Sequence, residues 1–179
     1  MKIQMQNQPT DEAYEWCESI VFALGFMITI LVFVIGFSRV SGSSMAPTME
    51  DGDHLLVQTI FYTPKRGDVI TTDAWIDYAK PLAKRVIALE GDTVMIDAAG
   101  VSVNGTLLDE TYLAAGTQTL AADVAYPLTV PKGKVFVMGD NREHSLDGRF
   151  SSIGFVDARD ILGKALFRIS PINRAGKIT

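Results

Sequence analysis

The sequence predicts a mainly β protein in which one apolar N-terminal helix precedes a domain of short strands. The first observation is a run without charged residues from Ile20 to Phe37. The second is the pattern after it, where short segments rich in β-branched residues are bounded by Gly, Asp, Asn or Pro. Residues 39–179 are enough for one compact domain with a hydrophobic core.

The apolar run predicts a transmembrane helix over residues 17–38. Roughly 18–20 apolar residues cross about 30 Å of hydrocarbon at about 1.5 Å per residue. A cleavable signal peptide fits poorly, because only Lys2 supplies a basic start and no small-x-small site precedes Ser38. A buried core helix is disfavoured by the uniformity of the run. Charge does not set the orientation, since the flanks carry Lys2 on one side and Arg39 on the other.

The strand pattern also predicts where the domain is irregular. Candidate strands are His54–Thr59, Asp68–Thr72, Ala83–Leu89, Thr93–Ile96, Val101–Val103, Lys134–Met138 and Ile161–Ile169. Asn104-Gly105 is the strongest hairpin signal, because both residues tolerate positive φ. Residues 108–131 are weakly patterned and are expected to form a small insert or flap. The tail from Pro171 is expected to be loosely held.

Composition excludes several function classes. The net charge of −5 provides no basic patch, which argues against a nucleic-acid partner. The chain has one cysteine, Cys17, and two histidines, His54 and His144. This predicts neither a disulfide framework nor a metal site, and no cofactor is expected.

Ser44 is a candidate nucleophile in a turn of small residues shortly after the apolar run. An alcohol needs a base to become a nucleophile, and in hydrolases that base is usually histidine. His144 stands near Asp140 and Asp147 in the sequence, so a Ser44/His144/Asp triad is one hypothesis. The alternative is that His144 is simply solvated in a charged, Gly-rich loop.

Lys84 is the rival base. A free lysine has a pKa of about 10.4, but burial disfavours the charged form and can lower that value by several units. In a strand, Leu82, Lys84 and Val86 share one face, which would place Lys84 in an apolar row. An exposed lysine on an edge strand is the alternative, and the residues alone leave it open.

The polar segment 139–149 follows an apolar strand directly. Loops carry function disproportionately, so the segment is a candidate part of a site. A solvated turn closed by an Asp147/Arg149 ion pair is the alternative interpretation.

Four segments occur in a fixed order, and together they carry a family resemblance. They are Ser41–Met49, Lys65–Val69, Lys84–Asp92 and Gly139–Arg149. In this order they resemble the motifs of bacterial type I signal peptidases, membrane-bound enzymes that remove signal peptides from exported proteins. The resemblance implies an antiparallel β domain around a small barrel, shared with the self-cleaving domain of SOS repressors. It also implies a short cytoplasmic N-terminus (1–16) and an extracytoplasmic peptidase domain (39–179).

The resemblance further implies a role for each site residue. Ser44 would attack the scissile carbonyl, and neutral Lys84 would act as the general base. Ser145 would orient the Lys84 amine by a hydrogen bond, and an Asp147–Arg149 ion pair would brace the loop. Residues expected to contact a substrate with small side chains before the cut, as in Ala-X-Ala sites, are Met45, Met49, Gly42 and Ala83.

Three departures from the family pattern are visible, and one of them is Glu90, which occupies a position often held by proline. Gly42 stands where some members carry a serine whose hydroxyl completes the oxyanion hole, so only the Ser44 N–H is a recognisable donor. Gly148 stands where many members have serine, which predicts local flexibility.

The expected partners are signal peptides of preproteins, membrane lipid and the secretion translocon. Phe61 and Trp75 lie in or next to predicted loops, where they could enter the lipid interface or pack in the core. Two other functions stay open: a self-cleaving regulator and an inactive membrane-tethered binding module. Intact Ser44, Lys84 and Ser145 argue against the second, and a short N-terminus without room for a DNA-binding region argues against the first.

Overall fold

The computed structural model describes residues 9–72 and 82–179, and it begins with one long helix, α1 (Pro9–Val34). Within α1, the stretch Glu12–Leu31 is long and apolar enough to cross a membrane, and none of it is buried in the protein. The helix of the prediction, 17–38, is therefore wrong at both ends. Residues 35–38 lie in a strand, because their backbone groups pair with a neighbouring strand and leave the helical ladder.

Twelve strands follow α1 in the described part of the chain. They are β1 (Ile35–Arg39), β2 (His54–Gln58), β3 (Val69–Thr72), β4 (Ala83–Ala88), β5 (Thr93–Asp97), β6 (Gly100–Val103), β7 (Thr106–Leu107), β8 (Leu128–Thr129), β9 (Lys134–Met138), β10 (Val156–Asp157), β11 (Ile161–Ser170) and β12 (Gly176–Lys177). Short 3₁₀ turns at Ala158–Asp160 and Ile172–Arg174 flank β11. The expected fold class, mainly β with one N-terminal helix, is confirmed.

The strands form two antiparallel sheets. The larger has the order β1-β2-β11-β3-β4-β9-β10, with β12 added to β11, and the smaller has the order β7-β6-β5-β8. The turn at Asn104-Gly105 joins β6 to β7 with φ of 52° and 77°, as the sequence predicts. Every strand predicted from the pattern is present within two residues of its expected bounds.

The core beneath the large sheet includes the end of the chain. One buried cluster contains Val40, Met45, Met49, Leu55, Val57, Val69, Ala165 and Ile178. Ile178 is 6 % exposed, and β12 pairs with Phe167 and Arg168 of β11. The prediction of a loosely held tail is therefore wrong, because an apolar side chain one residue past a strand pair fixes the tail to the core.

Residues 108–131 form an insert that packs against the protein. Apart from β8 they are irregular, yet the Val124 N–H donates to the Arg149 carbonyl at 3.3 Å. The Asp123 carboxylate accepts from the N–H and hydroxyl of Ser151 at 2.8 and 2.6 Å. These contacts attach the insert to the segment that follows β9.

Candidate active site

Ser44 lies in a tight turn between β1 and β2 that the core holds in place. The Ala46 N–H donates to the Ser43 carbonyl at 3.1 Å, and the Met49 N–H donates to the Met45 carbonyl at 2.9 Å. Both methionine side chains are fully buried in the cluster under the turn. Burial of the two methionines that follow Ser44 therefore fixes a segment whose composition alone would leave it flexible.

The Lys84 amine lies 2.7 Å from the Ser44 hydroxyl oxygen, although 40 residues separate them in the chain. Lys84 is only 3 % exposed, since β4 is an interior strand between β3 and β9. The expectation that Lys84 is buried is met, and the alternative of an exposed edge lysine is wrong. The distance is within hydrogen-bond reach, as proton transfer between the two groups requires.

Burial lowers the pKa of Lys84 from 10.5 to about 8. Asp147 and Asp140 oppose this shift by favouring the ammonium, whereas Arg149 adds to it. At neutral pH about one molecule in ten then carries a neutral amine that can accept a proton, against fewer than about one in a thousand for a free lysine.

His144 is exposed, and its side chain makes no hydrogen bond or ion pair with any residue that the structure describes. Its backbone N–H donates to the Asn141 carbonyl at 3.0 Å, which only shapes the loop. The triad hypothesis therefore has no geometric support, and the titratable side chain that lies beside Ser44 is Lys84.

The loop 139–149 is built around a buried ion pair. The Asp147 carboxylate accepts from Arg149 at 2.8 and 3.0 Å, and it also accepts from the Gly139 N–H at 3.0 Å. Arg149 in turn donates to the Arg142 carbonyl at 2.7 Å. The predicted ion pair is present, and because both of its residues are buried, it does not close a solvated turn.

Ser145 lies in the same loop, buried at 5 % exposure, and its hydroxyl has no hydrogen-bond partner among the described residues. The expected bond from Ser145 to the Lys84 amine is thus not formed in this structure. A side chain on Gly139 would meet the Ser145 hydroxyl at 2.2 Å and the Ser44 carbonyl at 2.4 Å. Gly139 therefore separates Ser145 from the Ser44 turn, and only glycine fits between them.

The four residues expected to contact substrate differ in accessibility. Met45 and Met49 have no exposed surface, Ala83 is partly buried against the same core cluster, and Gly42 is exposed. The methionines support the site from beneath in this structure. Their direct contact with a substrate stays a prediction.

The backbone N–H groups of Ser44 and Gly42 differ in their hydrogen bonding, and the oxyanion hole itself stays a prediction. The Ser44 N–H makes no hydrogen bond with the described residues, so it is free to face a developing oxyanion. Gly42 has φ of 89°, and its N–H donates to the Asp51 carboxylate at 2.8 Å. The N–H of Gly42 is therefore occupied and is not available as a second donor.

The prediction that Gly148 adds local flexibility is wrong. A side chain there would meet the Phe136 ring at 2.8 Å and the Val137 carbonyl at 2.9 Å. Its N–H donates to the Val137 carbonyl at 3.0 Å. Close packing of the loop on β9 therefore requires glycine at this position.

Sequence reasoning missed a second buried cation next to Lys84. Arg85 is 2 % exposed and donates to both Asp140 carboxylate oxygens at 2.8 and 2.7 Å. It also donates to the carbonyls of Gly67 and Thr179, at 2.8 and 3.0 Å. The sequence signal for this pair was Asp140, which comes two residues after an apolar strand. A carboxylate buried at such a position needs a cation as its partner.

Comparison with known proteins decides the family. The family model described as "Signal peptidase, peptidase S26" matches residues 13–170. The chain belongs to the signal peptidase family. It is 34% identical to a signal peptidase I of Bacillus licheniformis over 99% of both chains. It is 35% identical to signal peptidase I T of Bacillus subtilis, over 93% of this chain and 90% of that protein.

A crystal structure of a signal peptidase I from Enterococcus faecalis also matches. It is 31% identical, with a TM-score of 0.49, over 57% of this chain and 97% of that one. The family confirms the resemblance seen in the motifs and the expectation of an enzyme. As a member of this family, the protein is a serine peptidase that cleaves signal peptides from preproteins.

Proposed function

We propose that this signal peptidase is a membrane-anchored endopeptidase with Ser44 as nucleophile and Lys84 as general base, cleaving after small residues. One observation carries the proposal, the 2.7 Å contact between the Lys84 amine and the Ser44 hydroxyl in a buried setting. Desolvation makes the amine a usable base, and the contact places it at the proton it must remove.

The reaction follows from this geometry. Neutral Lys84 takes the Ser44 proton as the hydroxyl oxygen attacks the scissile carbonyl, and the ammonium then protonates the leaving amine as the peptide bond breaks. In the second half, Lys84 activates a water that releases the acyl group from Ser44. Asp147 and Asp140 favour the ammonium formed in each half. The Ser44 N–H stabilises the oxyanion, a contribution of about 3 kcal/mol for one donor.

The sheet offers main-chain groups to an extended substrate. β4 pairs with β9 only from Arg85 onward, so the side of residues 82–84 that faces away from β3 is unpaired in the described chain. β1 is an edge strand of the same sheet. A signal-peptide end adding as a strand beside 82–84 and 38–42 would present its carbonyl to Ser44.

The helix α1 supplies the anchor in this proposal. An N-terminus in the cytoplasm and a catalytic domain on the outer face would bring enzyme and membrane-bound preprotein together in two dimensions, which raises their effective concentration. Lipid and the secretion translocon are the partners that this location implies.

The dyad is tested by substitution in the full chain in detergent, with cleavage of a preprotein measured by gel shift. Ser44→Ala and Lys84→Ala are each expected to lower kcat by at least about 10³-fold, the scale of loss when one member of such a unit is removed. His144→Ala is the control and should cleave at the wild-type rate. Near-normal cleavage by either dyad variant, or a large loss in the control, would refute the assignment.

A further inference from the structure

The insert contacts the loop 139–149 (the catalytic loop) through two side chains that belong neither to the Ser44–Lys84 pair nor to the four segments that resemble family motifs. Glu110 and Tyr112 follow β7, and both lie against arginines that are almost completely buried. Glu110 itself is 13 % exposed. A carboxylate and a phenol at this depth need a structural or functional reason.

Arg142 is the first of these arginines. Its side chain has no exposed surface, and it donates to the two Glu110 carboxylate oxygens at 2.5 and 3.2 Å. It also donates to the hydroxyls of Thr119 and Tyr112 and, through Nε, to the Gly139 carbonyl at 2.9 Å. The guanidinium therefore links Glu110 on the insert to the first residue of the catalytic loop.

Tyr112 extends the linkage to Arg85. The Arg85 guanidinium carbon lies 3.9 Å from the centre of the Tyr112 ring, a cation–π contact, while the Tyr112 hydroxyl donates to Glu110 at 2.8 Å. Arg85 holds both carboxylate oxygens of Asp140. Two cations that the insert contacts thus fix two consecutive residues, Gly139 through its carbonyl and Asp140 through its side chain.

Gly139 and Asp140 border the nucleophile turn. A side chain on Gly139 would collide with the Ser44 carbonyl, and the Asn141 N–H donates to that carbonyl at 3.0 Å. The Asp140 carboxylate also accepts from the Thr48 hydroxyl at 2.5 Å, at the far end of the same turn. A displacement of residues 139–140 would therefore move Ser44 relative to Lys84.

We infer that Glu110 and Tyr112 are positioning residues that hold residues 139–140, through Arg142 and Arg85, against the Ser44 turn. The inference deepens the proposed function and rests on it, because the geometry being held is that of the Ser44–Lys84 pair. Neither side chain has a hydrogen bond or ion pair with Ser44 or Lys84 in the described structure, so both act through the arginines.

The kinetic test compares variants of the full chain in detergent. Glu110→Ala leaves the Arg142 charge buried without its carboxylate, and it is expected to lower kcat roughly 10–100-fold with KM within about twofold, as for small misplacements of reacting groups. Glu110→Gln keeps one acceptor oxygen and the shape of the side chain, so its kcat should fall less than that of Glu110→Ala. Glu90→Ala is the matched control: Glu90 accepts from the Gly133 N–H at 2.7 Å and has no contact with the catalytic loop.

Tyr112 supplies an independent pair of variants. Tyr112→Phe keeps the ring over Arg85 and should retain kcat within about threefold, whereas Tyr112→Leu removes the ring and should lose about tenfold or more. Equal kcat for wild type, Glu110→Ala and Tyr112→Leu would overturn the inference while leaving the proposed function intact. If Glu110→Ala does not fold, the Tyr112 pair decides the question alone.

A second readout does not depend on cleavage. NMR titration of ¹³C-labelled lysine reports the Lys84 side chain, which faces Asp147, Asp140 and Arg149. Loosening of residues 139–140 admits water, so the midpoint should rise toward the ordinary lysine value in Glu110→Ala and Tyr112→Leu but not in Glu90→Ala. An unchanged midpoint in both variants contradicts the inference. Absence of cleavage by the wild type would instead contradict the proposed function.

Discussion

Two neighbouring basic residues of β4, Lys84 and Arg85, are both buried, but only Arg85 is paired with a carboxylate. Lys84 has no carboxylate within ion-pair distance in the described chain, so burial lowers its pKa to about 8. Arg85 is paired with both oxygens of Asp140. A guanidinium stays charged in proteins and binds carboxylates in a bidentate way, whereas an ammonium can lose its proton when desolvated. The order Lys-Arg therefore could not be exchanged without losing both the amine beside Ser44 and the guanidinium that binds Asp140.

The pH dependence of cleavage should report Lys84. Only the neutral amine can accept the Ser44 proton, so kcat/KM is expected to rise about tenfold per pH unit below about pH 8 and to level off above it. The measurement is a pH–rate profile with a preprotein in detergent at constant ionic strength. A rise in kcat/KM centred near pH 6.5 would indicate a histidine base instead, and a flat profile between pH 6 and 9 would exclude Lys84 as the base.

At the level of elements, the loop 139–149 is held by packing on β9 as well as by its ion pairs. Gly148 lies against the Phe136 ring and the Val137 carbonyl of β9, with no room for a side chain. The loop that carries Asp147 and Arg149 therefore depends on the approach of one glycine to the strand before it.

Introducing the serine that many family members carry at this position should destabilise this protein. Gly148→Ser is expected to lower the free energy of unfolding by about 1–3 kcal/mol, since the new Cβ would collide with an aromatic ring and a backbone carbonyl. Thermal unfolding of the full chain in detergent gives the comparison. Gly176→Ser is the control, because nothing lies within 4 Å of a side chain there. Equal midpoints for the two variants would show that the loop moves aside at no cost.

The elements predictable from sequence are those with local signals. The strands have β-branched residues between turn residues, and Asn104-Gly105 marks its hairpin, so both were predicted correctly. The end of α1 was not predicted correctly, because Ile35–Phe37 is as apolar as the helix. Only pairing with β2 makes this segment a strand. The burial of Ile178 and the pairing of Arg85 with Asp140 depend on residues far apart in the chain. No local pattern encodes such contacts.

In the whole molecule, the end of the helix lies beside the loop that carries Phe61. The Thr59 N–H donates to the carbonyl of Val34, the last residue of α1, at 3.1 Å. Two residues later, Phe61 is 95 % exposed. If α1 spans the bilayer, this aromatic ring lies at the membrane surface, as the sequence suggested. Trp75, the other candidate for lipid contact, lies outside the described residues.

Phe61 is therefore expected to bind lipid. In a variant lacking residues 1–33, Phe61→Ser should weaken co-sedimentation with liposomes by about tenfold or more, from the loss of about 1.5–3 kcal/mol of apolar burial. Leu120→Ser is the control, since Leu120 is another exposed apolar side chain, at 70 %, but belongs to the insert. An equal effect of the two substitutions, or none, would remove Phe61 from the lipid-binding surface.

The direct passage from α1 into β1 has one more consequence. Ile35 continues the chain from Val34 without a linker, and Val40 is fixed by backbone bonds to Asp53 and Gly52 at 2.8 and 3.0 Å. The short segment from Ile35 to Ser44 can span at most about 30 Å even when fully extended. If α1 anchors the enzyme, this short segment limits how far above the bilayer Ser44 can lie, and a preprotein would be cut within that height. Substrates would then be selected by how far their cleavage site stands from their own membrane segment, as well as by the side chains at that site.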